Sequence, residues 1–181
     1  MLSAISRFVF FTSLILLTAC THIRYGNDYK AGTDFTDLKT YQWRGVTVDI
    51  NGTNEEFMRR LADDQLRARG FTPSDNSPDL LIDMQVFSRV SSGGNTSIGI
   101  GVGMPVGRHG NIGLGTGQIL GRGKQEGVIM LDITQASTNV LIWRGTAEGI
   151  PLINFSLKAE NKLRESFTQL LQQFPPNPST K

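Results

Sequence analysis

Asp79-Leu80-Leu81-Ile82-Asp83-Met84-Gln85-Val86-Phe87 is nearly continuous in apolar residues and follows the loop signals Pro73 and Pro78. It reads as a central strand, and the rest of the chain arranges itself around it. Downstream, Gln125 to Thr134 and Val140 to Ala147 are rich in branched side chains and read as two more strands, linked by the hairpin loop Gln135-Ala136-Ser137-Thr138-Asn139. Upstream, Lys39-Thr40-Tyr41-Gln42-Trp43 alternates polar and apolar residues, as does His22-Ile23-Arg24-Tyr25. Both predict strands, with Gly26-Asn27-Asp28 as a turn and Asp34-Phe35-Thr36-Asp37-Leu38 as a loop or short helical turn.

Two segments carry helical periodicity. Thr53-Asn54-Glu55-Glu56 opens the first, with Thr53 and Glu56 at capping-box spacing. Met58, Leu61, Ala62, Gln65 and Leu66 form its buried stripe, and Gly70 is a natural stop. Arg59, Arg60, Asp63, Asp64 and Arg67 fall mostly off that stripe and predict a solvated face. Ser156 to Phe174 is the second helix, with Ala159, Leu163, Phe167, Leu170, Leu171 and Phe174 inward and Pro175-Pro176 ending it. The order predicts an α+β, two-layer sandwich: a mostly antiparallel sheet of about five to seven strands with two amphipathic helices on one face.

The stretch from Gly93 to Gly127 differs from the rest. Ile98-Gly99-Ile100-Gly101-Val102-Gly103 alternates strictly, and Ile112-Gly113-Leu114-Gly115 repeats the pattern after the turn-like Gly107-Arg108-His109-Gly110-Asn111. Period two predicts a glycine-rich hairpin, apolar on one face and bare backbone on the other. Three uses suit such a hairpin: a surface flap, a subunit contact, or membrane insertion. Insertion would require an oligomeric barrel, because one hairpin leaves its edges unsatisfied in lipid.

The N-terminal residues have the three parts of a secretory signal. Arg7 supplies the charge, Phe8 to Leu17 the apolar run, and Thr18-Ala19 the small residues before Cys20, the chain's single cysteine. The apolar run is too short for a helix to cross a hydrocarbon core of roughly 30 Å. Leu17-Thr18-Ala19-Cys20 resembles the lipobox of bacterial lipoproteins. The resemblance implies cleavage between Ala19 and Cys20, acylation of Cys20, and removal of residues 1–19. Residues 20–174 then form a single lipoprotein domain, and 175–181 a disordered tail. Thr21, in place of an aspartate, implies by the same resemblance an outer-membrane, periplasm-facing location. No thiol then remains for a disulfide, a metal or a nucleophile.

The whole chain carries a formal net charge of +2 over 181 residues, and loss of Arg7 brings the mature chain near neutrality. No cluster of Lys and Arg with interleaved aromatics occurs, which argues against nucleic acid. Further resemblance lies in Asp28-Tyr29, Asp34-Phe35, Lys39-Thr40-Tyr41-Gln42-Trp43, Arg69-Gly70-Phe71, Pro78-Asp79-Leu80-Leu81-Ile82, Leu141-Ile142-Trp143-Arg144-Gly145 and Phe174-Pro175-Pro176. In this order, and with the lipobox, they resemble the bacterial lipoprotein family of domain of unknown function 4136. The resemblance implies an envelope lipoprotein and carries over no catalytic residue.

Reaction chemistry finds little support in the residues. The glycines alternate with apolar residues and no helix signal follows, unlike a phosphate-binding loop. His22 and His109 are far apart and lack ligand spacing, so no metal or cofactor is expected. Asp79, Asp83 and Asp132 lie on strands that can be neighbours. A carboxylate pair is one reading of them; capping of strand ends, or pairing with an arginine such as Arg144, is the plainer one. Trp43 and Trp143 suit core packing better than a carbohydrate platform. The sequence thus predicts a non-enzymatic envelope lipoprotein that binds membrane lipid through Cys20 and an unidentified envelope protein or ligand. An oligomeric assembly or pore built from the glycine hairpin is the alternative, and a hydrolase of an envelope polymer comes third.

Overall fold

The computed structural model describes residues 23–91 and 124–176. The expected signal sequence (residues 1–19), Cys20, both histidines and the alternating glycine residues 98–103 and 112–115 lie outside these residues. Within them run β1 (Arg24–Tyr29), β2 (Thr40–Asp49), α1 (Glu55–Ala68), β3 (Thr72–Pro73), β4 (Leu80–Val90), β5 (Gln125–Gln135), β6 (Val140–Ile150) and α2 (Glu160–Leu171). The strands form one open six-stranded sheet in the order β1-β6-β5-β4-β2-β3. The fold is α+β, with a mixed and mainly antiparallel sheet. β1–β6, β6–β5 and β5–β4 are antiparallel. β2 runs parallel to β4 and to the short β3. The parallel β2–β4 pair follows from α1, because a helical crossover returns the chain in its original direction.

Alternation along β4 separates the two faces of the sheet: Leu80, Ile82, Met84 and Val86 are buried, while Leu81, Asp83, Gln85 and Phe87 are half-buried. The buried set meets Ile129, Leu131 and Ile133 of β5, and both helices close over it. α1 contributes Phe57, Met58, Leu61, Ala62 and Leu66; α2 contributes Leu163, Phe167, Leu170 and Leu171. Gly145 permits a close approach in this core. Residues i and i+2 share a strand face, so Trp143 lies over the bare backbone of Gly145, where an added Cβ would also meet Leu170 Cδ1 at 2.8 Å. Phe174 completes the layer against Trp143, Phe71 and Phe35, with ring centroids 5.1, 5.1 and 5.8 Å away.

Several local expectations are corrected. Gly26-Asn27-Asp28 is the middle of β1 rather than a turn, held by pairing with Thr146, Gly145 and Arg144. β2 continues to Asp49, beyond the Trp43 limit of the alternating pattern. The α1 cap is Asn54, whose Oδ1 accepts the Phe57 N–H at 2.8 Å. Thr53, expected to cap, has a buried hydroxyl without a hydrogen-bond partner. Ser156 to Ala159 is not yet α-helix. Two 3₁₀ turns, Leu152–Phe155 and Leu157–Ala159, precede α2. Gln125 to Gly127, which fall both in the glycine-rich stretch and in the strand expected over Gln125 to Thr134, belong to β5.

Candidate functional site

A groove of about 720 Å³ runs between one edge of the sheet and α1. Its floor is Trp43, Arg44, Gly45 and Val46 of β2; its wall is Glu55, Glu56, Arg59, Arg60, Asp63 and Arg67 of α1. The fold makes the groove because β3 pairs only with Thr40 and Tyr41, leaving the remainder of β2 as an outer edge. The β2–β4 register also shifts between Trp43 and Gly45. A bulge there turns the strand and keeps the open edge from presenting a flat ladder.

Asp63 organises the floor. Its Oδ1 accepts the Tyr41 hydroxyl at 2.6 Å and the Trp43 indole N–H at 2.8 Å, fixing two aromatic side chains that share a strand face. Those rings meet edge to face, centroids 6.4 Å apart and planes at 89°. Burial, followed by the hydrogen bond and charge of Asp63, pushes the Tyr41 phenol well above its ordinary value. Arg59 and Arg67 stand one turn either side of Asp63 and partly offset that effect.

The arginines differ in availability. Arg60 pairs with Glu160 at 3.2 Å and lies 5.2 Å from the Phe57 ring centroid, and Arg44 pairs with Asp83. Arg59 and Arg67 have no acidic partner within ion-pair distance among the described residues, and both are exposed. The groove therefore offers an indole, two guanidinium groups and, toward the α1 N-terminus, Glu55 and Glu56. This set can hold a polar or anionic group against an aromatic surface. Its lining, among the described residues, contains no Ser, Thr, Cys, His or Lys. Among the described residues, no cluster of His, Cys, Asp and Glu has the arrangement of a metal site.

None of the three aspartates singled out from the sequence lines this groove, although Asp83 bonds Arg44 of its floor. Asp79 Oδ2 accepts the backbone N–H groups of Lys39 and Thr40 at 3.0 and 2.8 Å and the Thr40 hydroxyl at 2.7 Å, joining the starts of β2 and β4. Asp83 and Asp132 sit directly opposite each other on β4 and β5. Each has its own guanidinium: Arg44 bonds Asp83, and Arg144 bonds Asp132 through two contacts. Trp143 is fully buried. Trp43 is the groove aromatic, and Asp63, assigned by the sequence to a solvated face, is half-buried. Helical periodicity ranks apolar positions and has no signal for a carboxylate satisfied by Tyr and Trp donors from a distant strand.

Among solved structures, the chain is similar to a PDZ domain protein from Parabacteroides distasonis, with 15% identity and a TM-score of 0.51. That likeness covers 86% of this chain and 36% of the other, so the chain spans about a third of its length, and it concerns the fold. The chain is also similar to a PelC dodecamer from Paraburkholderia phytofirmans, with 10% identity, a TM-score of 0.45, and 83% and 95% of the two chains covered. No curated protein matches. The sequence profile described as a domain of unknown function, DUF4136, matches residues 26–176.

Proposed function

The chain belongs to the DUF4136 family, and from that footing we propose that it is a lipid-anchored, non-enzymatic binding protein of the cell envelope. Acylated Cys20 holds it in the outer membrane facing the periplasm, and the groove between β2 and α1 receives an envelope protein or ligand. The observation that carries the binding role is Trp43, fixed by Asp63, in one groove with Arg59 and Arg67, which have no acidic partner among the described residues. An ion pair already made gives a ligand little to gain, whereas an uncommitted guanidinium beside an aromatic face can form new charge-assisted bonds. The anchor rests on the lipobox resemblance and on the absence of another cysteine.

The test is site-specific photo-crosslinking in the native envelope, with the reactive group placed at Val46 or Glu56 of the groove lining and, as a control, at Lys39. A discrete adduct from the two groove positions, lost in Trp43→Ala, is expected. Identical patterns at groove and control positions would contradict binding in the groove.

A further inference from the structure

Strand register places four strand ends, of β1, β4, β5 and β6, at one end of the sheet. Arg24, the first residue of β1, lies opposite Glu148, close to the end of β6 at Ile150. Ile150 lies opposite Gly127, and Val90 at the end of β4 lies opposite Gln125. The 3₁₀ turns that follow β6 fold back across this same end. Phe155 is buried there, its ring seated where a side chain on Gly127 would be, and the Gly52 loop approaches its carbonyl.

The two residues flanking that buried pin behave differently. Ile153 is 78% exposed and Leu157 59%, and Val90 is exposed as well. These are the large exposed hydrophobics among the described residues, and all three occur at this one end. Large apolar side chains exposed together, rather than scattered singly, mark a surface with an apolar counterpart. Position 20 is three residues before Ile23, which precedes β1, so covalent reach puts it within roughly 10 Å of that end.

We infer that this end rests on lipid, with Ile153 and Leu157 dipping into the interfacial layer of the bilayer that holds the acyl chains of Cys20. The inference rests on the anchor reading. Insertion of a few apolar side chains beside a covalent lipid adds a second membrane signal to the first. The charge pattern makes the contact apolar rather than electrostatic. Glu126 and Glu148 are paired with Arg89 and Arg24 at 2.6 to 3.5 Å. The other exposed charges near this end, Lys124, Lys158, Asp49, Glu55 and Glu56, carry both signs. Membrane contact here leaves the groove open laterally along the β2 edge, and it gives the body a fixed orientation.

Depth-dependent quenching tests this contact in the acylated protein, reconstituted in phosphatidylcholine vesicles with a quencher on the lipid chains. Acylation of Cys20 consumes the only native thiol, so Ile153→Cys, Leu157→Cys and Ser137→Cys each introduce one labelling site. Ser137 lies in the β5–β6 loop, at the other end of the sheet. Strong quenching at 153 and 157 with little at 137 is the expected result; equal quenching at all three positions overturns the inference. A second arm keeps the anchor separate: vesicle co-sedimentation of the chain lacking residues 1–20, with and without Ile153→Asp/Leu157→Asp. The double change should lower the bound fraction at least about tenfold, and an unchanged fraction counts against the apolar contact. If the unlabelled wild-type chain stays in the supernatant, the anchor reading has failed, and the second arm alone decides the contact.

Discussion

Asp79 joins two strand beginnings through one carboxylate oxygen, and that makes its contribution pH-dependent. The Thr40 hydroxyl, followed by the backbone N–H groups of Lys39 and Thr40, holds its carboxyl below the ordinary aspartate range. A folded-state value below the unfolded one means stability that is present above about pH 4 and lost as pH falls through the folded value. Asp79→Ala should therefore cost about 1 kcal/mol near neutrality, and the gap from wild type should shrink in acid. Urea midpoints across pH measure both quantities, and a gap that is constant with pH would contradict the cause given. Gly145 makes a steric prediction: Gly145→Ala drives a methyl into Trp143 and Leu170 and should cost about 1–3 kcal/mol. Thermal unfolding checks it, and a neutral result would mean the core is looser than its contacts. At this scale the Asp132–Arg144 pair was legible, because a charged residue inside an otherwise apolar strand needs a counterion. Asp63 was not, since its donors come from a strand about twenty residues away in sequence and nothing local announces them.

The start of α1 separates two readings of the same four residues. If Asn54 is the cap, Asn54→Ala should lose about 1 kcal/mol. Thr53→Val should be neutral or slightly stabilising, because it removes a buried hydroxyl with no partner. Chemical denaturation of the two variants measures this, and the reverse ranking would restore the Thr53–Glu56 capping box. Both residue types are good caps, which is why spacing to Glu56 alone favoured the wrong one. Gly26-Asn27-Asp28 shows the same limit from the other side: its turn chemistry is real, but pairing with β6 outweighs it. The central strand, the β5–β6 hairpin and the apolar stripes of both helices were legible because each buries a face with its own period. The parallel β2–β4 pair also lay within reach, since a strand, a helix and a strand follow in order. The two 3₁₀ turns before α2 did not, because Phe155 sits where it does for the sake of Gly127, a contact no local pattern encodes.

At the scale of the whole molecule, the sheet end where β1 begins also carries exposed Ile153 and Leu157, while the groove opens along the β2 edge. A body held at that end would present Trp43, Arg59 and Arg67 to the periplasm in a constant orientation, and the proposed anchoring and binding would then belong to one arrangement. The fold class could be read from periodicity, and the anchor expected from the lipobox; the groove required the structure, because β3 is two residues long and leaves β2 open. The account stands on Cys20. Mass spectrometry of the N-terminal peptide from the membrane-extracted protein should find a chain beginning at Cys20 with fatty acyl groups on its thioether-linked glycerol and its amine. A peptide still continuous with residues 1–19, or a free thiol at position 20, would contradict it.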